Sequence, residues 1–342
     1  MDRAHSEAEA GNRARFSAQK RNLFETWYLK WNHLESETAG WIRYTLFHSD
    51  SRPSEAAVWA IFVDARHPER TVCIKQNHPL ADVALSDGGL RISIGKDGAS
   101  GIRHGEAWGH VKGGGSEMSW RLASQGEATL VKHIPWPLYS MPVPTTKFLA
   151  PHCWYPASGT VTVDGRRIDL DRVPAHQAHF WGTRQAHAWT WGNCSTFRED
   201  PDFGFEGISG RVKVGPLHVP AMSSFSFRWE GVVHRSNQLL RSWLNRSRSD
   251  LTEWRFSARA GGLRFVGALS ARPDEMILYR HVDPDGAPRH SHNHFFADLD
   301  LRIERKQKGG WREIKRLTAE RSAAFEVAQS DRDPRVTRFI QP

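Results

Sequence analysis

Short segments in which apolar and polar residues alternate occupy most of this chain, and they limit its fold more than any other feature. In an extended strand, successive side chains point to opposite faces. In GWIRYTLFHS (40–49), Ile42 and Tyr44 therefore fall on one face, and Trp41 and Arg43 on the other. Segments of strand length follow at 57–65, 71–77 and 90–95. The pattern predicts strands rather than helices.

Turn dipeptides separate many of these segments. The pair Asp164-Gly165 lies in the middle of GTVTVDGRRIDL (159–170), and Gly261-Gly262 lies within 254–271. Both are favoured in tight hairpin turns whose two central residues have positive φ. Helical periodicity is hard to find over any window of about 12 residues. Short helices are expected near 237–245 and 318–327, and the second segment also fits a strand.

A chain of 342 residues with so many strands has to hide its sheet edges by closing or splitting its sheets. We therefore expect a mainly β fold with two antiparallel barrels in tandem and few short helices. GPLHVPA (215–221), with two prolines, is the expected linker. The predicted division is a disordered or frayed tail at 1–20, an N-terminal domain at 21–215 and a C-terminal domain at 216–342.

A proline-rich band covers residues 133–156 and carries six prolines. Proline cannot donate to a sheet ladder, so such a band is not expected to form a central strand. We expect a long irregular connection, of the kind that often covers a ligand site.

Composition limits the compartment and the partners. No stretch reaches the roughly 18 apolar residues of a transmembrane helix, and the N-terminus lacks the apolar core of a secretory signal. Three widely spaced cysteines without a CxxC pair favour reduced thiols, and hence a cytoplasmic location. Transient contact with a membrane and the oligomeric state are left open.

The net charge of +9 raises the question of nucleic-acid binding. The 47 basic residues are, however, spread among 38 acidic ones. The densest basic run, 301–316, alternates as one solvated strand face would, and no nucleic-acid-binding motif accompanies it. No nucleic-acid partner is expected.

The segment HQAHFWGTRQAHAWTWGNC (176–194) gathers aromatic and titratable residues in one place. Strand alternation puts His187, Trp189, Trp191 and Asn193 on one face, with small residues on the other. Two interpretations remain open for the tryptophans. They either fill a core or form the aromatic wall of a ligand pocket. A pocket wall explains better why the polar residues His187 and Asn193 share their face.

The histidines invite a metal site. His176, His179 and His187 could hold zinc, but the spacing of the first two is awkward for one strand face and no carboxylate lies among them. His290, His292 and His294 share a strand face, which is also typical of a partly solvated hairpin arm. We expect neither a metal nor a cofactor, since phosphate-binding and dinucleotide-binding glycine motifs are absent as well.

Two acids are candidate proton donors. Glu206 lies between Phe205 and Gly207, where desolvation would raise its pKa and keep it protonated. The alternative is an ordinary strand glutamate paired with Arg211. Glu25, in FETWYLKWNH, is the other acid in aromatic company.

Nucleophilic catalysis is not indicated. The G-x-S-x-G motif of serine hydrolases is missing. Strand alternation also places Cys194 and His187 on different faces of the strand, so they would not form a nucleophile–base pair.

Three stretches together resemble a known superfamily: ETWYLKWN, WYPASGTVTVDGRRIDL and HFWGTRQAHAWTWGNC. They are similar to the two-domain lipocalin-like superfamily that includes carotenoid 1,2-hydratases (hydroxyneurosporene synthases), tocopherol cyclases, AttH-like proteins and related Diels–Alder cyclases. The matching positions are Glu25, Trp27, Tyr28, His179, Trp181, Gly182, Trp189 and Trp191.

The resemblance implies two lipocalin-like β-barrels with a hydrophobic cavity in or between them. It implies a hydrophobic isoprenoid, polyene or polyketide substrate of secondary metabolism. The implied reaction is hydration or cyclisation, by alkene protonation or by shape-guided ring closure. Together with the expectation of no metal, this gives the hypothesis of a metal-independent hydratase or cyclase. A non-catalytic carrier of a hydrophobic small molecule is the alternative.

Within this hypothesis each candidate residue has a role. Glu206 or Glu25 would donate the proton, and His179 and His187 would position water or take up the final proton. The expected substrate contacts, which would also shelter a carbocation, are Trp27, Tyr28, Trp154, Trp181, Trp189, Trp191 and Asn193.

Overall fold

A computed structural model of the protein describes residues 3–17, 22–50, 52–86, 89–126, 129–211, 213–214, 217–218, 221–237 and 245–340. Strands dominate this part of the chain, and they form two curled antiparallel sheets, each a half-barrel. The mainly β prediction is confirmed. No helix in the described ranges combines the length and apolarity needed to cross a membrane.

The first sheet contains the N-terminal strands in the order β4-β3-β2-β1-β12-β11-β9-β8-β7-β6-β5, with β10 beside β11. Its strands are β1 Leu23–His33, β2 Thr38–His48, β3 Glu55–Asp64, β4 Val72–His78, β5 Val83–Leu85, β6 Arg91–Ile94, β7 Ser100–Arg103, β8 Glu106–Gly113, β9 Ser116–Ser124, β10 Val131–Lys132, β11 Thr146–Val163 and β12 Arg166–Gly182.

The second sheet has the order β18-β17-β14-β13-β24-β23-β21-β20-β19, with β22 joining β23 to β25. A separate hairpin pairs β15 with β16. The strands are β13 Ala188–Cys194, β14 Gly204–Arg211, β15 Lys213–Val214, β16 Leu217–His218, β17 Met222–Trp229, β18 Val232–Ser236, β19 Arg246–Ser249, β20 Glu253–Ala260, β21 Leu263–Ser270, β22 Ile277–Val282, β23 Pro288–Gln307, β24 Gly310–Gln329 and β25 Arg338–Ile340.

Helices are few in the described residues, as expected. The α-helix α1 spans Arg3–Asn12, and short 3-10 turns span Pro68–Arg70, Leu80–Asp82, Lys96–Gly98, Trp136–Tyr139 and Pro273–Glu275. The segment 318–327 belongs to strand β24. Most of the other expected helix, residues 238–244, lies outside the described residues.

The predicted hairpin turns have the required backbone. Asp164 and Gly165 have φ of 48° and 79°, and Gly261 and Gly262 have φ of 58° and 78°. Two consecutive positive φ values characterise the type I′ turn, whose twist matches that of the flanking strands.

The proline-rich band differs from its prediction. Its second half belongs to β11, which lies between β12 and β9. The ladder between β11 and β12 is irregular from Leu149 to His152 and again from His152 to Tyr155. These irregularities accommodate Pro151, because a bulge leaves its residue outside the regular hydrogen-bond pattern.

The change from the first sheet to the second comes between Gly182 and Ala188. The sequence placed the boundary later, at 215–216, and these two residues lie outside the described ranges. Residues 183–187 connect the long strand β12 to β13, so the aromatic–histidine segment 176–194 contributes to both sheets.

The N-terminal segment, expected to be a frayed tail, packs on the first half-barrel as far as the structure describes it. Ala8 and Asn12 are fully buried. The Asn12 carbonyl accepts a hydrogen bond from Trp27 Nε1 at 3.0 Å, and Gln177 Nε2 donates to Asn12 Oδ1 at 3.3 Å. Buried partners of this kind hold the segment in place.

Three apolar clusters follow from strand alternation. Residues such as Trp27 and Tyr44 fill the first half-barrel, and phenylalanines such as Phe227 and Phe265 fill the second. The opposite face of β1–β3 packs against the second sheet through a third cluster that includes Trp41. The two half-barrels therefore share an aromatic interface.

Candidate active site

A cavity of about 200 Å³ lies in the interface between the half-barrels. Its aromatic wall comes from both sheets and consists of Tyr28, Trp41, Phe148, Phe180, Trp189, Trp191 and Tyr279. Its charged or titratable lining residues are Arg43, His133, His281 and Glu326. A mainly apolar pocket with a few convergent polar groups is typical of a small-molecule site.

Strand alternation delivers these side chains. Tyr28 projects from β1 on the face opposite Trp27, and Arg43 projects from β2 on the face opposite Tyr44. Trp189 and Trp191 project from β13 on the same face. The predicted two-residue spacing therefore does place the two tryptophans on one wall.

Glu326 is the acid that faces this cavity. It lies on β24 directly opposite Trp191, and it is buried. Its Oε1 accepts hydrogen bonds from Trp189 Nε1 at 2.8 Å and from Ser291 Oγ at 3.1 Å. Both donors are neutral, and burial raises the pKa of Glu326 above its ordinary value.

The two oxygens of Glu326 differ. Oε1 takes both hydrogen bonds, as the carbonyl oxygen of a protonated carboxyl would. Oε2 has no hydrogen-bond partner among the described residues. A protonated Glu326 can therefore carry its proton on Oε2, where no protein acceptor competes with a ligand in the cavity.

His281 lies next to this acid. Its Nε2 is 3.3 Å from Ser291 Oγ, and its Nδ1 is buried without a hydrogen-bond partner in the described ranges. Because Ser291 donates to Glu326, it accepts from the protonated Nε2. Burial lowers the pKa of His281 far below its ordinary value, so the ring stays neutral and Nδ1 keeps a free lone pair.

Glu206 stands behind Trp191 and does not line the cavity. Its Oε1 accepts from Trp191 Nε1 at 2.9 Å, and its Oε2 accepts from Asn193 Nδ2 at 2.9 Å. His133 Nε2 and His176 Nε2 lie 3.3 and 3.5 Å from Oε1.

The predicted protonation of Glu206 is wrong. Burial alone would raise the pKa of Glu206, but the neighbouring histidines and the Trp191 N–H outweigh burial and lower it. Burial also lowers the pKa of His176, to about 4, so His176 is a neutral donor to an ionised Glu206. The alternative partner, Arg211, is exposed and makes no ion pair with this carboxylate.

The cluster around Glu206 also has the composition of a metal site. One ligand atom each from Cys153, His176 and Glu206 lies within 4.8 Å of the other two. Burial raises the pKa of the Cys153 thiol well above its ordinary value, whereas a metal binds the thiolate. The Glu206 oxygens already accept N–H donors. These residues therefore fit a hydrogen-bonded cluster better than an ion site.

Glu25 and His179 are close together, but on the other face of the first sheet. Glu25 Oε1 is 2.7 Å from His179 Nε2, and both Glu25 oxygens accept from the Arg15 backbone N–H, at 2.8 and 3.0 Å. His179 Nδ1 donates to the Gly11 carbonyl at 2.9 Å. The pair therefore holds the N-terminal segment against the first sheet through these hydrogen bonds, and it does not line the cavity.

Replacing Glu25 with glutamine is expected to destabilise the protein by about 1.5–3 kcal/mol, because hydrogen bonds to a buried carboxylate are lost. Thermal unfolding measures this loss. Substrate turnover at a temperature where the variant stays folded is expected to equal that of the wild type. A turnover loss as large as that of a Glu326 variant would contradict the location of Glu25.

The other predicted site residues also fall into two groups: some belong to the cavity or to the Glu206 cluster beside it, and the others lie elsewhere. Tyr28, Trp189 and Trp191 line the cavity, and Asn193 holds Glu206. The rest do not line the cavity. Trp27 stacks on His179, and Trp181 packs against His179 and Arg15. Trp154 donates a hydrogen bond to the Phe205 carbonyl, and His187 lies just before β13.

The second histidine group does not converge. His290 Nδ1 donates to the Ser330 carbonyl, and His292 Nδ1 donates to the Val327 carbonyl. His294 Nδ1 accepts from the Phe296 backbone N–H. Each ring therefore has its own backbone partner, which explains the group as part of a structural strand.

Three residues of the cavity were not predicted from the sequence: Glu326, Arg43 and His281. Glu326 is a single acid within the apolar run AAFEVA (323–328), and Arg43 is a single cation among aromatic and aliphatic neighbours in β2. Such isolated charges in buried strands are the signal that could have identified them.

His281 makes stability depend on pH. In the unfolded chain its ring binds a proton below about pH 6.5, whereas the buried ring stays neutral well below that pH. The folding free energy from this group is present above pH 6.5 and is lost as pH falls, by about 1.4 kcal/mol per pH unit. Between pH 7 and pH 5 the wild type is expected to lose about 2 kcal/mol more than His281→Leu. Denaturant unfolding at both pH values tests this difference, and equal losses would contradict it.

Fold and site together define the class of protein: two half-barrels of antiparallel strands with an aromatic-lined cavity at their interface. The sequence profile of the tocopherol cyclase-like family matches residues 141–328, more than half of the chain. The chain therefore belongs to the tocopherol cyclase-like family. The match includes Trp189, Trp191 and Glu326.

Solved structures confirm the fold. An AttH-like protein from Nitrosomonas europaea has a TM-score of 0.52 at 10% identity, over 90% of this chain and 93% of its own. Kievitone hydratase from Nectria haematococca has a TM-score of 0.50 at 9% identity, over 90% of this chain and 89% of its own. CghA has a TM-score of 0.51 at 11% identity, over 91% and 89%. No curated protein sequence matches the chain.

Proposed function

We propose that the protein is a hydratase or cyclase of secondary metabolism that acts on a hydrophobic isoprenoid, polyene or polyketide without a metal. The observation that carries this proposal is a buried carboxyl of raised pKa, Glu326, on the wall of an aromatic cavity. Membership of the tocopherol cyclase-like family and the structural likeness to a hydratase support it.

The chemistry begins with proton transfer from Glu326. The proton on Oε2 passes to one carbon of a substrate double bond, and a carbocation forms at the other carbon. The departing proton leaves a carboxylate that Trp189 and Ser291 stabilise through their existing hydrogen bonds to Oε1. No rearrangement of these donors is needed, which keeps the barrier low.

The aromatic wall stabilises the cation. Tyr28, Trp41 and Trp191 present rings to the cavity, and a desolvated cation–π contact is worth about 2 kcal/mol. The walls also hold a flexible chain in a folded shape, which favours ring closure. A shape-guided cyclisation would use the same wall and make Glu326 less important.

The reaction ends by water addition or by capture within the substrate. The neutral ring of His281 lines the cavity and is the base that would take up the proton that an attacking water or hydroxyl group releases. The Ser291 hydroxyl bridges His281 to Glu326. This path returns the proton to Oε1 of Glu326, and rotation of the carboxyl group then brings it to the Oε2 position that faces the ligand.

Native mass spectrometry of the protein purified from its own host tests the proposal. The expected result is a retained hydrophobic molecule that is converted, on incubation, to its hydrated or cyclised product, with no stoichiometric metal. A bound molecule that never changes would indicate the carrier instead. A stoichiometric zinc would contradict the metal-free mechanism and point to the Cys153, His176 and Glu206 cluster.

A further inference from the structure

Arg43 is an unusual side chain for an apolar cavity. It lines the cavity wall and is only 5% exposed. Its buried Nε has no hydrogen-bond partner. In the described part of the chain, no side chain or carbonyl accepts a hydrogen bond from its two Nη atoms either. A buried guanidinium without acceptors is costly, because the N–H donors lose water and gain no partner.

Aromatic rings surround this guanidinium without satisfying its donors. Its central carbon lies 5.4 Å from the ring centre of Trp59 and 5.7 Å from those of Phe180 and Tyr279, with Trp41 at 5.8 Å. Cation–π attraction offsets part of the cost of burying the charge. The planar fork of N–H groups still lacks oxygen acceptors, which a carboxylate would match in geometry.

Arg289, which is buried, and Arg228, which is half-buried, do have such acceptors. Arg289 donates to the Ala186 and Pro288 carbonyls and lies 3.5 Å from Asp283. Arg228, which also stacks on a tryptophan, donates to the Trp154 carbonyl. Arg43 therefore differs from these arginines: no acceptor among the described residues hydrogen-bonds to its guanidinium, although its charge does act on the Glu326 carboxyl.

We infer that Arg43 binds the anionic end of the substrate, a carboxylate or an enolate, and that the substrate is thus a hydrophobic chain with one acidic group. This inference rests on the proposed function of the cavity and narrows its substrate class. Arg43 holds the anionic end, and the double bond then lies within the cavity that Glu326 also lines.

A single negative charge fits the surroundings better than a diphosphate. Arg43 is the one arginine or lysine among the described lining residues of the cavity. The carboxyl of Glu326 shares that lining, and His281 stays neutral. A diphosphate would bring two or more negative charges to one cation beside an acid, without the further basic groups that phosphate sites use.

The test uses three probes with the same ten-carbon isoprenoid chain: geranic acid, geraniol and geranyl diphosphate. Each competes at pH 7.5 with N-phenyl-1-naphthylamine, an uncharged dye whose fluorescence rises in apolar pockets. Wild-type protein is expected to bind geranic acid about 10- to 100-fold more tightly than geraniol, the range for a hydrogen-bonded ion pair. Geranyl diphosphate is expected to compete less well than geranic acid.

Variants separate a binding role from a structural one. Arg43→Met is expected to remove the preference by weakening geranic acid and leaving geraniol unchanged, and to keep or raise the unfolding temperature of the unliganded protein. Arg228→Met is the matched control, since Arg228 also stacks on a tryptophan but lies outside the cavity, and it is expected to keep the preference.

The outcomes distinguish the two levels of the proposal. Three results would overturn the role of Arg43 and leave the proposed function of the cavity standing. The wild type could bind geranic acid and geraniol equally, the preference for geranic acid could survive in Arg43→Met, or geranyl diphosphate could bind most tightly. Failure of the dye and all three probes to bind would overturn the hydrophobic-ligand function itself. The wild-type comparison stands even where a variant fails to fold.

Discussion

Replacing Glu326 with glutamine is expected to slow substrate turnover by about 10²–10⁴-fold, the usual contribution of a general acid. Glutamine has the same shape, and its carbonyl oxygen can still accept from Trp189 and Ser291. The amide replaces the acidic proton on Oε2 with one that cannot be given up. Ligand affinity is therefore expected to change little, so the loss appears in kcat rather than in KM.

Glu304→Gln is the matched control for this variant. Glu304 is also a buried glutamate of the second sheet, but it pairs with Arg264 and Arg302 and does not line the cavity. Its turnover is expected to match the wild type. Wild-type turnover by Glu326→Gln itself would show that this carboxyl does not supply the proton.

Replacing Glu206 with leucine is expected to destabilise the protein by about 3–5 kcal/mol, because several buried donors lose their acceptor at about 1–3 kcal/mol each. Trp191, Asn193 and His176 would lose their common acceptor in a site that water does not reach. These residues come from β12 and β13, so the substitution would disrupt the packing where the two half-barrels are connected.

Thermal unfolding of the Glu206 variants measures this effect. The leucine variant is expected to unfold roughly 10 °C below the wild type. Glu206→Gln keeps one acceptor oxygen for the Trp191 N–H and is expected to fall between the two. A leucine variant as stable as the wild type would mean that the cluster does not hold the half-barrels together.

The fold was largely predictable because strand alternation and turn chemistry are local properties. The turn at Asp164-Gly165 and the two faces of 40–49 follow from neighbouring residues alone, and both are confirmed. The ordered segment before Trp27 was not predictable, because its order depends on contacts with Gln177 and His179 far along the chain.

The site was predictable only within one strand. The sequence predicted that Trp189 and Trp191 share a face, and it left open whether that face fills a core or forms a pocket wall. Both side chains line the cavity. The acid opposite them, Glu326, follows Trp191 by 135 residues. The two side chains become neighbours only because β13 pairs with β24. Non-local pairing of this kind leaves no local pattern, so the predicted donors were two acids with aromatic neighbours in sequence, Glu206 and Glu25.

Deuterium transfer from the solvent tests the role of Glu326 most directly. The protein is incubated in D₂O with the hydrophobic molecule that it retains on purification, and the products are analysed by mass spectrometry and NMR. The wild type is expected to form a product with deuterium bound to the protonated carbon, and Glu326→Gln is expected to form almost none. A wild-type product without deuterium on carbon, or equal labelling by both proteins, would contradict protonation by Glu326.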